Sequence, residues 1–353
     1  MLFMKESATL EEALLALCQN GKHDSGTDAL PVRNDKDGTY EYCCSRLDII
    51  SMLAWSQSES DWKSAPLMDV LQSDDDAHVV SPKIFSFSMD DAVVTCLEYF
   101  SKGVHHILVT NEEYQAPDPE ANDKDNDNSD EDSDAVEEQK YYWVSQWDII
   151  EYLHQNINRM SAVVDAPIDK IGLVKERELE KDQKSIVKVP CTMLAKEAFK
   201  KFLTQKCDVV AIMDNDKLVS SVSESDIVGV GPEATSFLLS DEYLTVKDFM
   251  DAVNKENDRD TEPVTCTRGD ALKDLLLIAV EKKTNHIFVV DDQQRPLKIV
   301  MLRDLICKFS PCDFKTNMAT KSLRTSMCGM KPKDLLTVLE EAEGDSSSAS
   351  VYD

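Results

Sequence analysis

Val209-Val210-Ala211-Ile212-Met213, then Asp214-Asn215-Asp216-Lys217, then Leu218 to Val222 and Ser223-Glu224-Ser225-Asp226: this stretch decides the fold. Five apolar residues stopped by an Asp/Asn turn read as a buried strand. A second strand follows, and the Ser-x-x-Asp step opens a short helix. Ahead of it, Ala195 to Leu203 carries a helical period. The unit is therefore helix, strand, turn, strand, helix start.

The unit recurs along the chain. Its first copy has the helix Leu10 to Cys18, the strand Ala29 to Val32, the turn Asn34-Asp35-Lys36-Asp37-Gly38 and the strand Tyr40 to Cys44. Ser45-Arg46-Leu47-Asp48 then opens the helix Ile49 to Trp55. The second copy runs Asp91 to Phe100, His106 to Val109 and Tyr141 to Val144. Ser145-Gln146-Trp147-Asp148 leads into Ile149 to Leu153. The fourth runs Ala271 to Val280, Ile287 to Val290 and Leu297 to Val300, and ends in Met301-Leu302-Arg303-Asp304. Asp148 to Asp226 is 78 residues and Asp226 to Asp304 is 78 again. Asp48 to Asp148 is 100, and the excess matches an insert in the second copy.

That insert, Asn111 to Gln139, lies where a hairpin loop belongs. Glu112 to Glu138 holds 13 acidic residues and one Lys, which is −12 of the chain's −29. Such composition is expected to stay solvated and disordered. Ser129, followed by Asp130-Glu131-Asp132, suits an acidic-directed kinase. Linkers are expected at Ser56 to Asp76 with an amphipathic piece Pro66 to Leu71, at Arg159 to Lys184 with the charged run Lys175 to Lys184, and at Gly231 to Asp260 with a helix Val246 to Val253. In the tail, Pro332 to Glu341 has the pattern of an amphipathic helix.

The 353 residues are 42% hydrophobic, enough for more than one core. A net charge of −29 argues against nucleic acid and anionic membrane as partners. No apolar run reaches the length of a membrane span. Met1 to Glu6 turns polar too soon for a secretory signal. Ten scattered cysteines without paired metal spacing read as reduced thiols in the cytoplasm or nucleus. There is no Gly-rich phosphate loop, no His-Glu-x-x-His and no Gly-x-Ser-x-Gly, so a non-catalytic protein is expected.

The repeat resembles the CBS domain, through Gly103-Val104-His105-His106-Ile107-Leu108-Val109 and Val222-Ser223-Glu224-Ser225-Asp226-Ile227-Val228. Four copies with little else resemble the gamma regulatory subunits of the AMP-activated protein kinase. The resemblance implies an α+β fold in which four β-α-β-β-α repeats pair into two Bateman modules that form a flat disc. The expected units are residues 1–58, 64–160 with the insert 111–139, 163–232 and 244–310, followed by a tail at 311–353. The first unit lacks a lead-in, so its first strand is expected within Leu2 to Met4, or the true start lies upstream. One copy leaves apolar surface bare, so copies must dock. The apolar helices Ile49 to Trp55 and Ile149 to Leu153 are the expected docking surface.

The same resemblance implies a regulatory ligand, AMP, ADP, ATP or another adenosyl compound, in clefts between repeats, with no covalent cofactor and no metal. It also implies protein kinase catalytic and scaffold subunits as partners. Carried over, the ribose side falls on Asp48, Asp148, Asp226 and Asp304, with Ser45, Ser145 and Ser223 beside them. The phosphate side falls on His105, His106 and His286. Two readings of the Ser-x-x-Asp step stay open, since the same residues make a helix capping box. The chain departs from the family at the usual glycine six residues before each Asp, where it has Tyr42, Tyr142, Ser220 and Lys298. Asp28 and Asp208 stand where basic residues would hold phosphate, and neutral histidine replaces arginine poorly. The alternative is an interaction scaffold that kept the fold and lost the ligand.

Overall fold

The computed structural model describes residues 3–21, 29–36, 38–46, 48–49, 63–72, 84–110, 141–160, 162–205, 207–223, 226, 244–256, 260 and 262–310. The insert, the tail helix 332–341 and most of the helix 49–55 lie outside them. Repeat 1 comprises β1 (Met4–Lys5), α1 (Leu10–Gly21), β2 (Ala29–Arg33) and β3 (Tyr40–Ser45). A short helix α2 (Leu67–Leu71) follows. Repeat 2 comprises β4 (Phe85–Ser88), α3 (Val93–Ser101), β5 (His106–Thr110), β6 (Tyr141–Ser145) and α4 (Gln146–Gln155). The linker helix is α5 (Leu179–Ser185). Repeat 3 comprises β7 (Lys188–Pro190), α6 (Ala195–Gln205), β8 (Val209–Asp214) and β9 (Lys217–Ser223), followed by α7 (Val246–Glu256). Repeat 4 comprises β10 (Thr265–Cys266), α8 (Leu272–Lys282), β11 (His286–Val290), β12 (Pro296–Met301) and α9 (Leu302–Cys307).

Each repeat makes one three-stranded sheet in chain order, its first pair parallel and its second antiparallel. The parallel pair is bridged by the helix, as a parallel connection requires. The central strands are buried nearly throughout, which is why they read as unbroken apolar runs. Where helix meets strand, the second copy uses Gly103 at φ 98, and the fourth holds Lys283 at φ 47. Glycine reaches that backbone region without steric cost.

The repeats join through two kinds of seam. Sheets meet between repeats 1 and 2, where Trp143 Nε1 donates to the Ala29 carbonyl at 3.0 Å and Ile84 N to the Glu41 carbonyl at 3.1 Å. Sheets also meet between repeats 3 and 4, where Leu218 N donates to the Gln294 carbonyl at 3.0 Å. There Val209, Ala211, Met213 and Leu218 pack with Phe288 and Val290. Helices meet across the other diagonal. One continuous core takes Leu10, Leu14 and Leu17 of repeat 1 together with Phe199, Phe249 and Val253 of the repeat 3 side. A second takes Leu97, Phe100 and Ile150 of repeat 2 with Leu276, Leu305 and Phe309 of repeat 4. Helix α4, which contains Ile149 to Leu153, therefore docks on α8 and α9 of repeat 4. Ile49 is buried in the core shared with repeat 3. The docking surface is apolar helix, as expected from the sequence, but it joins one sheet-paired couple to the other.

Lead-in pieces cross between repeats. Helix α2 precedes repeat 2 yet packs on repeat 1, clamped by Leu67 N to the Ala8 carbonyl at 2.9 Å and Leu10 N to the Ala65 carbonyl at 3.1 Å. Helix α7 precedes repeat 4 yet packs on repeat 3, with Val246 N to the Met193 carbonyl at 2.7 Å and Ala195 N to the Leu244 carbonyl at 3.0 Å. The segment before repeat 3 does the same on repeat 4, with Ile168 N to the Asp270 carbonyl at 2.9 Å and Leu272 N to the Ala166 carbonyl at 3.3 Å. Ile168, Ile171 and Leu173 are buried there. No described helix is long and apolar enough to cross a membrane.

Candidate ligand site

The four aspartates occupy equivalent helix starts. Asp48 Oδ2 accepts from Ser45 N at 2.7 Å and from Ser45 Oγ at 2.6 Å. Asp148 Oδ2 does so from Ser145 N at 2.6 Å and Oγ at 2.7 Å. Asp226 Oδ2 does so from Ser223 N at 2.7 Å and Oγ at 2.8 Å. In repeat 4 the carboxylate arm remains, Met301 N to Asp304 Oδ2 at 2.9 Å, but methionine has no hydroxyl to return the bond. In repeats 1 and 2 the return bond is present, Asp48 N to Ser45 Oγ at 3.4 Å and Asp148 N to Ser145 Oγ at 3.2 Å. These carboxylates satisfy amides at a helix start that would otherwise lack acceptors. Asp148→Ala is therefore expected to cost about 1 kcal/mol with no ligand present, read as a lower urea midpoint with an unchanged slope.

The serines and histidines converge elsewhere. A cavity of about 30 Å³ sits where repeats 2, 3 and 4 meet. His105, His106 and Ser145 of repeat 2, Ser223 of repeat 3 and His286 of repeat 4 all line it. Ser45 of repeat 1 does not, and none of the four capping aspartates does. His106 is buried and its ring stacks on Trp143 at 5.1 Å and 7°, while His105 is exposed. His286 Nε2 lies 3.0 Å from Ser221 Oγ, joining repeat 4 to repeat 3. Its Nδ1 is buried without a hydrogen-bond partner among the described residues. Burial pushes its pKa down to about 4, with the Asp226 and Asp208 carboxylates opposing the shift, so the ring is neutral near pH 7.

Two formally charged residues, Asp208 and Arg303, also line the cavity. Arg303 Nη1 donates to Asp208 Oδ2 at 2.8 Å, a bond between repeats 4 and 3 that is about one-third exposed. Arg303 escaped the sequence reading, although a basic residue directly before the capping Asp occurs in no other repeat. Asp208 stands at the strand entrance expected to face phosphate, and its carboxylate is paired with Arg303. Beside it, Cys207 has its pKa raised to about 11, chiefly by burial, which makes it a structural thiol and not a nucleophile. At the positions of the family's glycines, Tyr42 and Tyr142 pack on the two helical cores, and Ser220 is buried. Lys298 Nζ lies 3.1 Å from Asp182 Oδ2 of the linker helix α5. Among the described residues no three His, Cys, Asp or Glu side chains are grouped to hold a metal.

Four units, each with a βαββ core and the start of a further helix among the described residues, are joined by alternating sheet and helix seams into a tandem-repeat α+β protein. Residues 258–310 match the family model described as CBS domain, and the other three units repeat the sheet topology of that segment. A Methanocaldococcus jannaschii protein, proposed to be an archaeal homolog of g-AMPK, is similar in fold at a TM-score of 0.59 and 13% identity, over 88% of this chain and 96% of that one. A conserved protein of Pyrococcus horikoshii aligns at a TM-score of 0.46 and 11% identity, over 87% and 94%. The protein CBSX2 in complex with AMP aligns at a TM-score of 0.28 and 17% identity, over 35% and 87%. No curated protein matches the sequence.

Proposed function

We propose that the chain is a non-catalytic, ligand-sensing regulatory subunit, with an adenine nucleotide or other adenosyl ligand entering where repeats 2, 3 and 4 meet. The observation that carries the reading is the convergence of His105, His106, His286 and Arg303 on one cavity from repeats far apart in sequence. A cavity of about 30 Å³ lies far below the roughly 300 Å³ at which small-molecule pockets begin. Entry must therefore spread the repeats, and a ligand that favours the spread arrangement shifts the population toward it. That coupling is what a sensor needs. Similarity in fold to a protein named for its likeness to g-AMPK is in keeping with kinase catalytic and scaffold subunits as partners, and the scattered cysteines suit the cytoplasm or nucleus. The ribose role of Asp48, Asp148, Asp226 and Asp304 is proposed for the clefts at their own helix starts, since none of the four lines this cavity.

A second reading, a scaffold without ligand, is favoured by the small cavity and by Lys298 being engaged by Asp182. Titration calorimetry with AMP, ADP, ATP and S-adenosylmethionine separates the two. Binding heat and a rise in unfolding temperature are expected for at least one of them. Silence from all four at millimolar concentration leaves the scaffold.

A further inference from the structure

We propose that the central cavity selects a ligand tail of low net negative charge, foremost one carrying both an ammonium and a carboxylate, and that Asp208 excludes polyphosphate tails. The inference rests on the cavity being the ligand site. Its two formal charges, Asp208 and Arg303, cancel each other across a 2.8 Å bond. His286 adds no charge near neutral pH, because burial keeps its ring unprotonated. The Ser145 and Ser223 hydroxyls already donate to Asp148 and Asp226, and Asn285 adds an uncharged amide to the lining.

A phosphate approaching Arg303 has two routes, and both are unfavourable. It can displace Asp208, which leaves a half-buried carboxylate stripped of its partner. It can share the guanidinium with Asp208, which holds like charges within a few ångströms in a partly dry site. Each further phosphate charge adds to the repulsion, and the whole chain at −29 adds a long-range share. A zwitterionic tail meets neither obstacle. Its carboxylate takes the donors of Arg303 while its ammonium takes the oxygens of Asp208, so one ion pair is exchanged for two. His286 Nδ1, on a side chain 8% exposed and with no partner among the described residues, leaves a further polar atom for the ligand to satisfy.

The test is calorimetry on the full chain with S-adenosylhomocysteine, AMP and ATP at one fixed salt concentration. S-adenosylhomocysteine, whose tail is an amino acid, is expected to bind at least tenfold more tightly than ATP, with AMP between them. Asp208→Asn is expected to narrow that gap at least tenfold, by strengthening ATP and weakening S-adenosylhomocysteine, and Asp208→Glu to restore it. ATP binding as tightly as S-adenosylhomocysteine to the unaltered chain overturns the proposal while leaving the ligand site standing. So does a gap that Asp208→Asn leaves unchanged in a variant with native circular dichroism. Absence of heat from all three ligands overturns the proposal and the ligand site together.

Discussion

Phe199→Ala is expected to lower the stability of the chain by about 3–5 kcal/mol, among the larger effects of any single truncation. The ring is 1% exposed and meets Phe249 edge-on at 5.2 Å and 85°. Phe249 belongs to α7, the helix that crosses from the start of repeat 4 onto repeat 3. The lost ring therefore opens a void at the root of a crossed lead-in and inside a core that repeat 1 shares. Because that core is continuous, residues of repeat 1 such as Leu14 should lose protection along with those of repeat 3. Hydrogen exchange by mass spectrometry checks this. Faster exchange confined to repeat 3, with repeat 1 untouched, would contradict a shared core.

Acidification from pH 7.5 to pH 4.5 is expected to remove about 2–3 kcal/mol of stability through His286 alone. Its folded pKa, near 4, lies below the unfolded value of 6.5. Between those values the unfolded chain takes up the proton and the folded chain does not, so stability falls as pH drops through 6.5 and levels off below about 4. Other groups titrate in the same window, so the quantity to measure is the difference between the unaltered chain and His286→Gln. Urea midpoints should show the variant losing less stability on acidification, by about that amount. A difference that stays constant with pH would remove His286 as the cause.

The strands legible in the sequence were those that needed no partner to declare themselves. Val209–Asp214 and His286–Val290 are apolar because both faces are covered, and the turns beside them are polar. The opening strands Phe85–Ser88, Lys188–Pro190 and Thr265–Cys266 are two to four residues long, too short to show a period. Helix α5 is polar all round and carries the i,i+4 pair Glu180–Lys184 at 2.6 Å, so it read only as a charged run. At the site, the recurring Ser-x-x-Asp step was visible, but its capping geometry looks the same with or without a ligand role. Asp208 and Arg303 meet only because the sheets of repeats 3 and 4 close on each other across 95 residues of chain. No local pattern encodes that closure. The crossing of α2 and α7 was hidden for the same reason, since an amphipathic helix shows which face it buries but not against whom.

The alternating seams run from repeat 1 to 2, 2 to 4, 4 to 3 and 3 back to 1. Four units joined edge to edge in this way close into a ring. In a closed ring, a change at one seam is borne by the others. Opening the seam around Arg303 and Asp208 would load the opposite seam, where Tyr40 and Tyr141 meet edge-on at 5.1 Å. A distant rim of the molecule would thus register an event at the hub, with no relay of side chains between them.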